Sequence, residues 1–483
     1  MSDPVRPSRA TLDALPEGVA RPAHDPRRLS PGIVHVGVGN FHRAHMGVYL
    51  DRLHAAGGHE DWGIVGAGVR PPDALMRDRL EPQDWMSTVV ELDPAGLTAR
   101  VTAPMCGFAE VAPGPTVAAM ADPRVRIVSL TVTEGGYYTD AAGAFDVDHP
   151  DIRADAAGDE PRTVFGMILA ALGARRNAGA APFAVLSCDN LPGNGHAARA
   201  ALSGLARLRG EEGLLDGLAT PNCMVDCIAP AVTDDVRATV TERFGLADAA
   251  PVICEPFRQW VLEDEFPAGR PPLEEVGAEF VHDVVPYELM KLRVLNAAHA
   301  AIAYPAALLG HHYVHDAVAD PDVARWVRAV IGQEAIPTLA PIHGVDFHRY
   351  LDTCMERFSN SAVADTIPRL CFDGSNRQPK FVLPTVRDRL KAGAPVDLLA
   401  MEVALWRLYC ARAGEAGVTP LDDERAGMLR DAARREPDAF LGLGAIFGDL
   451  ASTPFRDAFS AACERLGADV RAALRALSSA QGR

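Results

Sequence analysis

A short apolar run, Gly32 to Gly37 (GIVHVG), passes directly into Gly37-Val38-Gly39 and then into an apolar helical stretch through Leu53. A strand, two glycines and a helix start form the opening of a βαβ unit. Such a unit implies a parallel sheet with helices on its faces, and it aims backbone N–H groups at the place where a pyrophosphate sits. The third glycine of the full G-x-G-x-x-G fingerprint is absent, His42 standing there instead. The same residues therefore also fit a plain tight turn.

A second apolar strand, Trp62 to Val69, is followed by Arg70-Pro71-Pro72-Asp73. An acid after the second strand of such a unit accepts hydrogen bonds from the adenosine ribose and repels a 2′-phosphate. Asp73 equally suits the N-cap of a helix over Ala74 to Leu80. Met86 to Asp93 and Leu97 to Ala103 alternate like paired antiparallel strands inserted beside the main sheet. Arg126 to Thr133 and Phe183 to Cys188 read as buried strands running into loops, and Thr163 to Arg176 as an amphipathic helix. From Val284 onward the pattern is helical. A chain of 483 residues is too long for one core. These signals divide it into an α/β domain at 1–283 and a mainly helical domain at 284–483.

The formal charge of −17 offers nothing to attract a nucleic acid or an anionic membrane. No apolar run reaches membrane-spanning length. Met1 to Ser30, rich in Pro, Arg and Asp, lacks the apolar core of a signal peptide. The nine cysteines are scattered without a C-x-x-C, which fits a reducing cytoplasm. Cys223 and Cys227 have no second pair nearby. His311 and His315 have no third ligand fixed beside them, so no metal site is expected.

The chemistry concentrates in Lys291 to His299 (KLRVLNAAH). On a regular helix at about 100° per residue, with Lys291 at zero, Glu288 falls near 60°, His299 near 80° and Asn296 near 140°. A polar arc of this kind is costly to bury unless its members pair with each other or with a ligand. A desolvated lysine loses affinity for its proton and can act as a base. Amide and imidazole N–H groups can donate to an oxygen that becomes negative. Oxidation of an alcohol to a ketone needs those parts, and Glu288 is placed to relay protons. A solvated charged face is the alternative.

K-x-R-x-x-N-x-x-H does not stand alone. The chain also carries G-x-G-x-F-H-R-A-H at Gly37 to His45 and T-x-T-E-x-G-Y at Thr131 to Tyr137. S-C-D-N-x-P-x-N-G follows at Ser187 to Gly195, M-V-D at Met224 to Asp226, C-E-P-F-x-Q-W at Cys254 to Trp260 and D-G-S-x-x-x-P-K-F at Asp373 to Phe381. Over nearly its whole length the sequence resembles the polyol-specific long-chain dehydrogenases/reductases.

That resemblance implies a Rossmann-type nucleotide-binding domain with inserted strands, followed by a helical substrate domain, with polyol and NAD meeting in the cleft between them. It implies cofactor contacts from Gly37, Gly39, Asn40, Phe41, His42, Arg43, Asp73, Thr133, Glu134 and Asn190. It makes Lys291 the general base. Asn296 and His299 become the holders of the substrate oxygen, and Asn190 a residue at both nicotinamide and substrate. Asp226, Arg369 and Arg377 become further substrate contacts, and no metal takes part. The expected reaction interconverts mannitol, or a similar sugar alcohol such as arabinitol or sorbitol, with its 2-ketose. A hexuronate reductase is the competitor within the class, and a non-catalytic NAD-binding sensor the competitor outside it. A cytoplasmic monomer or small homo-oligomer is expected. The chain departs from the family at Pro72, where many relatives carry an acid, and at Cys227, where the family has arginine. Ala297-Ala298 replaces Gly-Ser, and Arg377 stands where mannitol dehydrogenases usually have lysine.

Overall fold

The structure is a computed structural model that describes residues 3–140, 143–158, 160–467 and 469–480. The chain forms two compact units, Met1–Val285 and Pro286–Arg483.

The first unit is built on a five-stranded sheet. Its strands are β1 (Pro31–Val36), β2 (Gly63–Ala67), β3 (Met105–Phe108), β4 (Ile127–Leu130) and β5 (Ala184–Ser187), in the order β3-β2-β1-β4-β5. Every neighbouring pair is parallel. The order reverses at β1, and that reversal places a ligand crevice beyond the carboxyl ends of the central strands. Successive residues of a strand face opposite sides of the sheet, and both sides are covered. Val34, Val36, Val128, Leu130 and Val185 pack with Phe165, Ile168 and Leu172 of the helix Val164–Asn177 and with Leu202 and Leu205 of Asn194–Arg209. Ile33, Ile64, Ile127 and Leu186 pack with Tyr49, Leu50 and Leu53 of the helix Met46–Ala56 and with Trp260. Thr163 proves to be the N-cap of its helix, accepting the Gly166 amide at 3.0 Å.

The expected insertion is present as an antiparallel hairpin of Ser87–Asp93 and Gly96–Thr102. It lies in a separate four-stranded sheet with Val19–Ala20 and Val252–Cys254. A further three-stranded sheet joins Cys223–Asp226, Gln259–Glu263 and Glu279–Val281. Asp73 is not an N-cap: it is the third residue of the helix Pro71–Leu80, which begins on two prolines.

The second unit is helical, and its described residues hold no strand longer than an isolated bridge between Tyr313 and Thr366. At its centre lies Ala297–Leu308, whose alanines let Asp397–Arg412 and Pro321–Ala329 pack closely. Pro305 inside that helix has no N–H for the Ala301 carbonyl. The indole N–H of Trp326 donates to that carbonyl instead, at 3.0 Å. The regular α-helix expected across Lys291 to His299 is interrupted. Val285–Met290 and Ala297–Leu308 are α-helical, but Lys291–Asn296 is a π-turn. The angular positions drawn for a uniform helix therefore do not apply across it. No helix among the described residues is long and apolar enough to cross a membrane.

Candidate active site

In the first unit the loop after β1 is shaped by its two glycines. Gly37 has φ +95°, and a Cβ there would lie 2.2 Å from the Thr131 carbonyl oxygen. A Cβ at Gly39 would meet only the Gly37 carbonyl, at 3.8 Å, so the loop backbone is open to close approach there. The short helix Asn40–Ala44 follows, and the amides of its first turn have no acceptor within it.

The side chains of this motif mostly turn inward. His35 reaches Ser129 Oγ at 2.8 Å and Thr131 Oγ1 at 3.0 Å, and His42 stacks on it at 3.8 Å between ring centroids. Burial pushes His35 down to about 3 and His42 well below its ordinary value, so both rings are neutral. Arg43 is buried and donates to the Gly39 carbonyl at 3.2 Å, Asn40 Oδ1 at 2.9 Å and the Ala250 carbonyl. Phe41 stacks on His45. His42 and Arg43 thus brace the loop from within.

Asp73 lies beyond the carboxyl end of β2. Its Oδ2 accepts the amides of Val69 at 2.8 Å and Arg70 at 2.9 Å. The fit depends on Gly68, where a Cβ would come within 2.2 Å of Asp73 Cβ. Beyond β4, Thr133 holds φ +66°, a conformation that β-branched residues rarely adopt. Asp189 keeps that loop in place. Its carboxylate accepts the amides of Val132 at 3.0 Å and Thr133 at 2.8 Å and the Tyr137 hydroxyl at 2.7 Å. Burial raises the Asp189 carboxyl despite these donors. The sequence reading assigned no role to Asp189. Its position before Asn190, in a turn at a strand end, was the available signal. Glu134 and Asn190 are exposed beside it.

Asp226 is buried at the end of its strand, opposite Gln259. At the adjoining family departure, Cys227 lies beside Cys254, and Arg258 donates to Cys254 Sγ at 3.0 Å. A guanidinium therefore stands near the place where the family arginine is missing.

In the second unit Lys291 and Asn296 mark the two ends of the π-turn. Hydrogen bonds in a π-turn close i to i+5, so these two residues come one above the other. Lys291 and Glu288 are each 9% exposed. His299, half-buried, packs its ring 4.6 Å from Phe358 and leaves Nε2 without a protein partner. Burial, and next Arg369, push His299 down to about 3, so it is neutral and able to donate one N–H. Arg369 is held by two hydrogen bonds to the Asp365 carboxylate. Arg377 donates to the carbonyls of Arg369 and Leu370, both at 3.1 Å. The unit therefore gathers His299, Arg369 and Arg377 into one neighbourhood. His311 and His315 do not converge: they lie near different carboxylates, Asp320 and Asp316.

Two family models match the chain, the mannitol dehydrogenase Rossmann domain over residues 31–275 and the mannitol dehydrogenase C-terminal domain over 283–466. A mannitol 2-dehydrogenase of Cereibacter sphaeroides is 52% identical over 94% of this chain and 98% of its own length. One from Phaeosphaeria nodorum is 41% identical over 90% of this chain and 78% of its own. The solved ternary complex of Pseudomonas fluorescens mannitol 2-dehydrogenase with NAD and D-mannitol superposes with a TM-score of 0.85 at 38% identity, covering 99% of this chain and 100% of that one. A substrate-free D-sorbitol dehydrogenase gives 0.90 at 32% identity, covering 97% and 100%. With both units matched and more than half the residues shared with one such relative, the chain belongs to the mannitol dehydrogenase family.

Proposed function

We propose that the protein is an NAD-dependent polyol dehydrogenase that interconverts mannitol, or a closely similar sugar alcohol, with its 2-ketose. The observation that carries this reading is the π-turn with Lys291 and Asn296 at its two ends, on a helix whose next polar residue is a neutral His299 with Nε2 unpartnered.

NAD, when bound, supplies the acceptor for the hydride that leaves the carbinol carbon. The open backbone at Gly39 and the first-turn amides of Asn40 to His42 suit its pyrophosphate, and Asp73 suits its ribose. Glu134 and the strained Thr133 present their loop to the same ligand, and Asn190 orients the reacting hydroxyl. Lys291 takes the hydroxyl proton. Asn296 and His299 donate to the oxygen as its charge grows. Glu288, three residues before Lys291, passes the proton onward. Asp226, Arg369 and Arg377 hold the rest of the polyol chain. A neutral lysine amine as base and two donors supply what a Lewis-acid metal would otherwise contribute, so the reaction needs none. Arg369 already has its charge offset by Asp365, which favours an uncharged sugar alcohol over a hexuronate.

The test is a panel of mannitol, sorbitol, arabinitol and mannonate with NAD⁺, followed at the NADH absorbance band. Turnover should be fastest with one of the neutral polyols and should survive chelation. Preference for mannonate, or no oxidation of any member, overturns the reading.

A further inference from the structure

We propose that Arg293 is a positioning residue for this reaction: by clamping Asp388 and Thr338 it holds the π-turn that brings Lys291 and Asn296 into line. The inference rests on the proposed role of Lys291 as base. Long π-type hydrogen bonding is rare in helices and occurs mostly as single turns at functional sites. Nothing in the local sequence KLRVLN favours it over the α-helix that continues on both sides. The register must therefore be imposed by tertiary contacts.

Arg293 stands in the middle of the turn, with its side chain 9% exposed. Its Nη1 donates to Thr338 Oγ1 at 2.6 Å and to the Thr338 carbonyl at 3.2 Å, and its Nη2 donates to the Asp388 carboxylate. Thr338 ends the short turn Ile336–Thr338, which follows a second π-turn at Val330–Ala335. Asp388 belongs to the helix Leu383–Lys391. One planar fork thus ties the reactive turn to two other segments. The Asp388 side chain is 49% exposed, so the Coulombic part of the pair is modest. What matters is the fixed geometry of three acceptors around a guanidinium, which a lysine cannot reproduce. If the clamp lets go, the helix can take up its extra residue and close as an α-helix. Lys291 and Glu288 then rotate by about 100° relative to Asn296 and His299, and base and oxygen donors no longer face the same hydroxyl.

The chain contains three lysines, Lys291, Lys380 and Lys391. Reductive ¹³C-methylation therefore yields a spectrum simple enough to follow each one, assigned with Lys380→Arg and Lys391→Arg and read without turnover. The variants are the double change Thr338→Val with Asp388→Asn, and Arg293→Gln, which removes the guanidinium and keeps the lysine count at three. Polyol oxidation by the unmethylated proteins is measured in parallel. In both variants the Lys291 midpoint should move by about half a pH unit or more while Lys380 and Lys391 stay fixed. The kcat should fall about tenfold or more at unchanged NADH affinity. An unmoved Lys291 midpoint, or a wild-type kcat in both variants, overturns the clamp. A wild-type protein that oxidises no polyol defeats the proposed function instead, and the titration then decides the clamp alone.

Discussion

Residues 37–45 and residues 288–299 are the two densest motif stretches, and they use side chains in opposite ways. In the first unit the ionisable groups of the motif are buried within the protein. His42 is stacked and neutral, and Arg43 is bound to three acceptors within the unit. Under the proposed function the ligand meets the backbone of this loop. In the second unit Arg293 binds Thr338 and Asp388, His299 Nε2 has no protein partner, and the proposed chemistry falls to Lys291, Asn296 and His299. Binding a pyrophosphate needs N–H groups at fixed places, which a rigid loop supplies. Moving a proton needs side chains whose protonation and reach can be tuned.

The sharpest way to break this contrast is Lys291→Ala. The rate of polyol oxidation should fall by about 10³ or more, because the hydroxyl proton must leave as the hydride does. NADH affinity should stay near wild type. A near-normal kcat with the wild-type basic limb of the pH profile would put the base elsewhere. Asn296→Ala should cost about 10² in kcat through a lost oxyanion donor, with a smaller change in KM. A rise in KM alone would make Asn296 a binding residue only.

The first unit predicts the reverse pattern. Arg43→Gln should lower thermal stability and weaken NAD binding together, since the arginine builds the loop. Loss of NAD affinity with an unchanged melting temperature would show that the guanidinium reaches the phosphates, and the contrast would collapse. The smallest effect is on stability against acid. Unfolded histidine titrates near 6.5, and His35 in the fold titrates at about 3. The unfolded chain therefore binds the extra proton between those values. The contribution is complete above about pH 6.5 and is lost as pH falls, on the order of 2 kcal/mol by pH 5. Urea unfolding of wild type and His35→Gln at pH 7 and pH 5 checks this. An equal loss in both proteins would mean that other groups carry it.

Much of the first unit was readable because parallel strands buried on both faces are continuous apolar runs, as at Pro31–Val36 and Ile127–Leu130. Met105–Phe108 is not legible in the same way, because four residues with a glycine among them carry no period. The inward turn of Arg43 could not be read either, since its acceptor at Ala250 is 207 residues away. The same holds for the π-turn: Lys291, Asn296 and His299 stand out by type and spacing, but the register that stacks them depends on Thr338 and Asp388. One compositional signal pointed to Lys291. Only three of the 47 basic residues are lysines, so a lysine kept inside an apolar helix is unusual in this chain.

Gly68 carries one more consequence. Its missing side chain is what lets Asp73 lie against the backbone after β2, since any Cβ would overlap that of Asp73. Under the role proposed for Asp73, cofactor choice is altered from behind. A single methyl at position 68 displaces the carboxylate while leaving the acid itself encoded. A descendant of this enzyme could drift toward the phosphorylated dinucleotide with its acidic residue still in the sequence, and inspection of position 73 alone would miss the change.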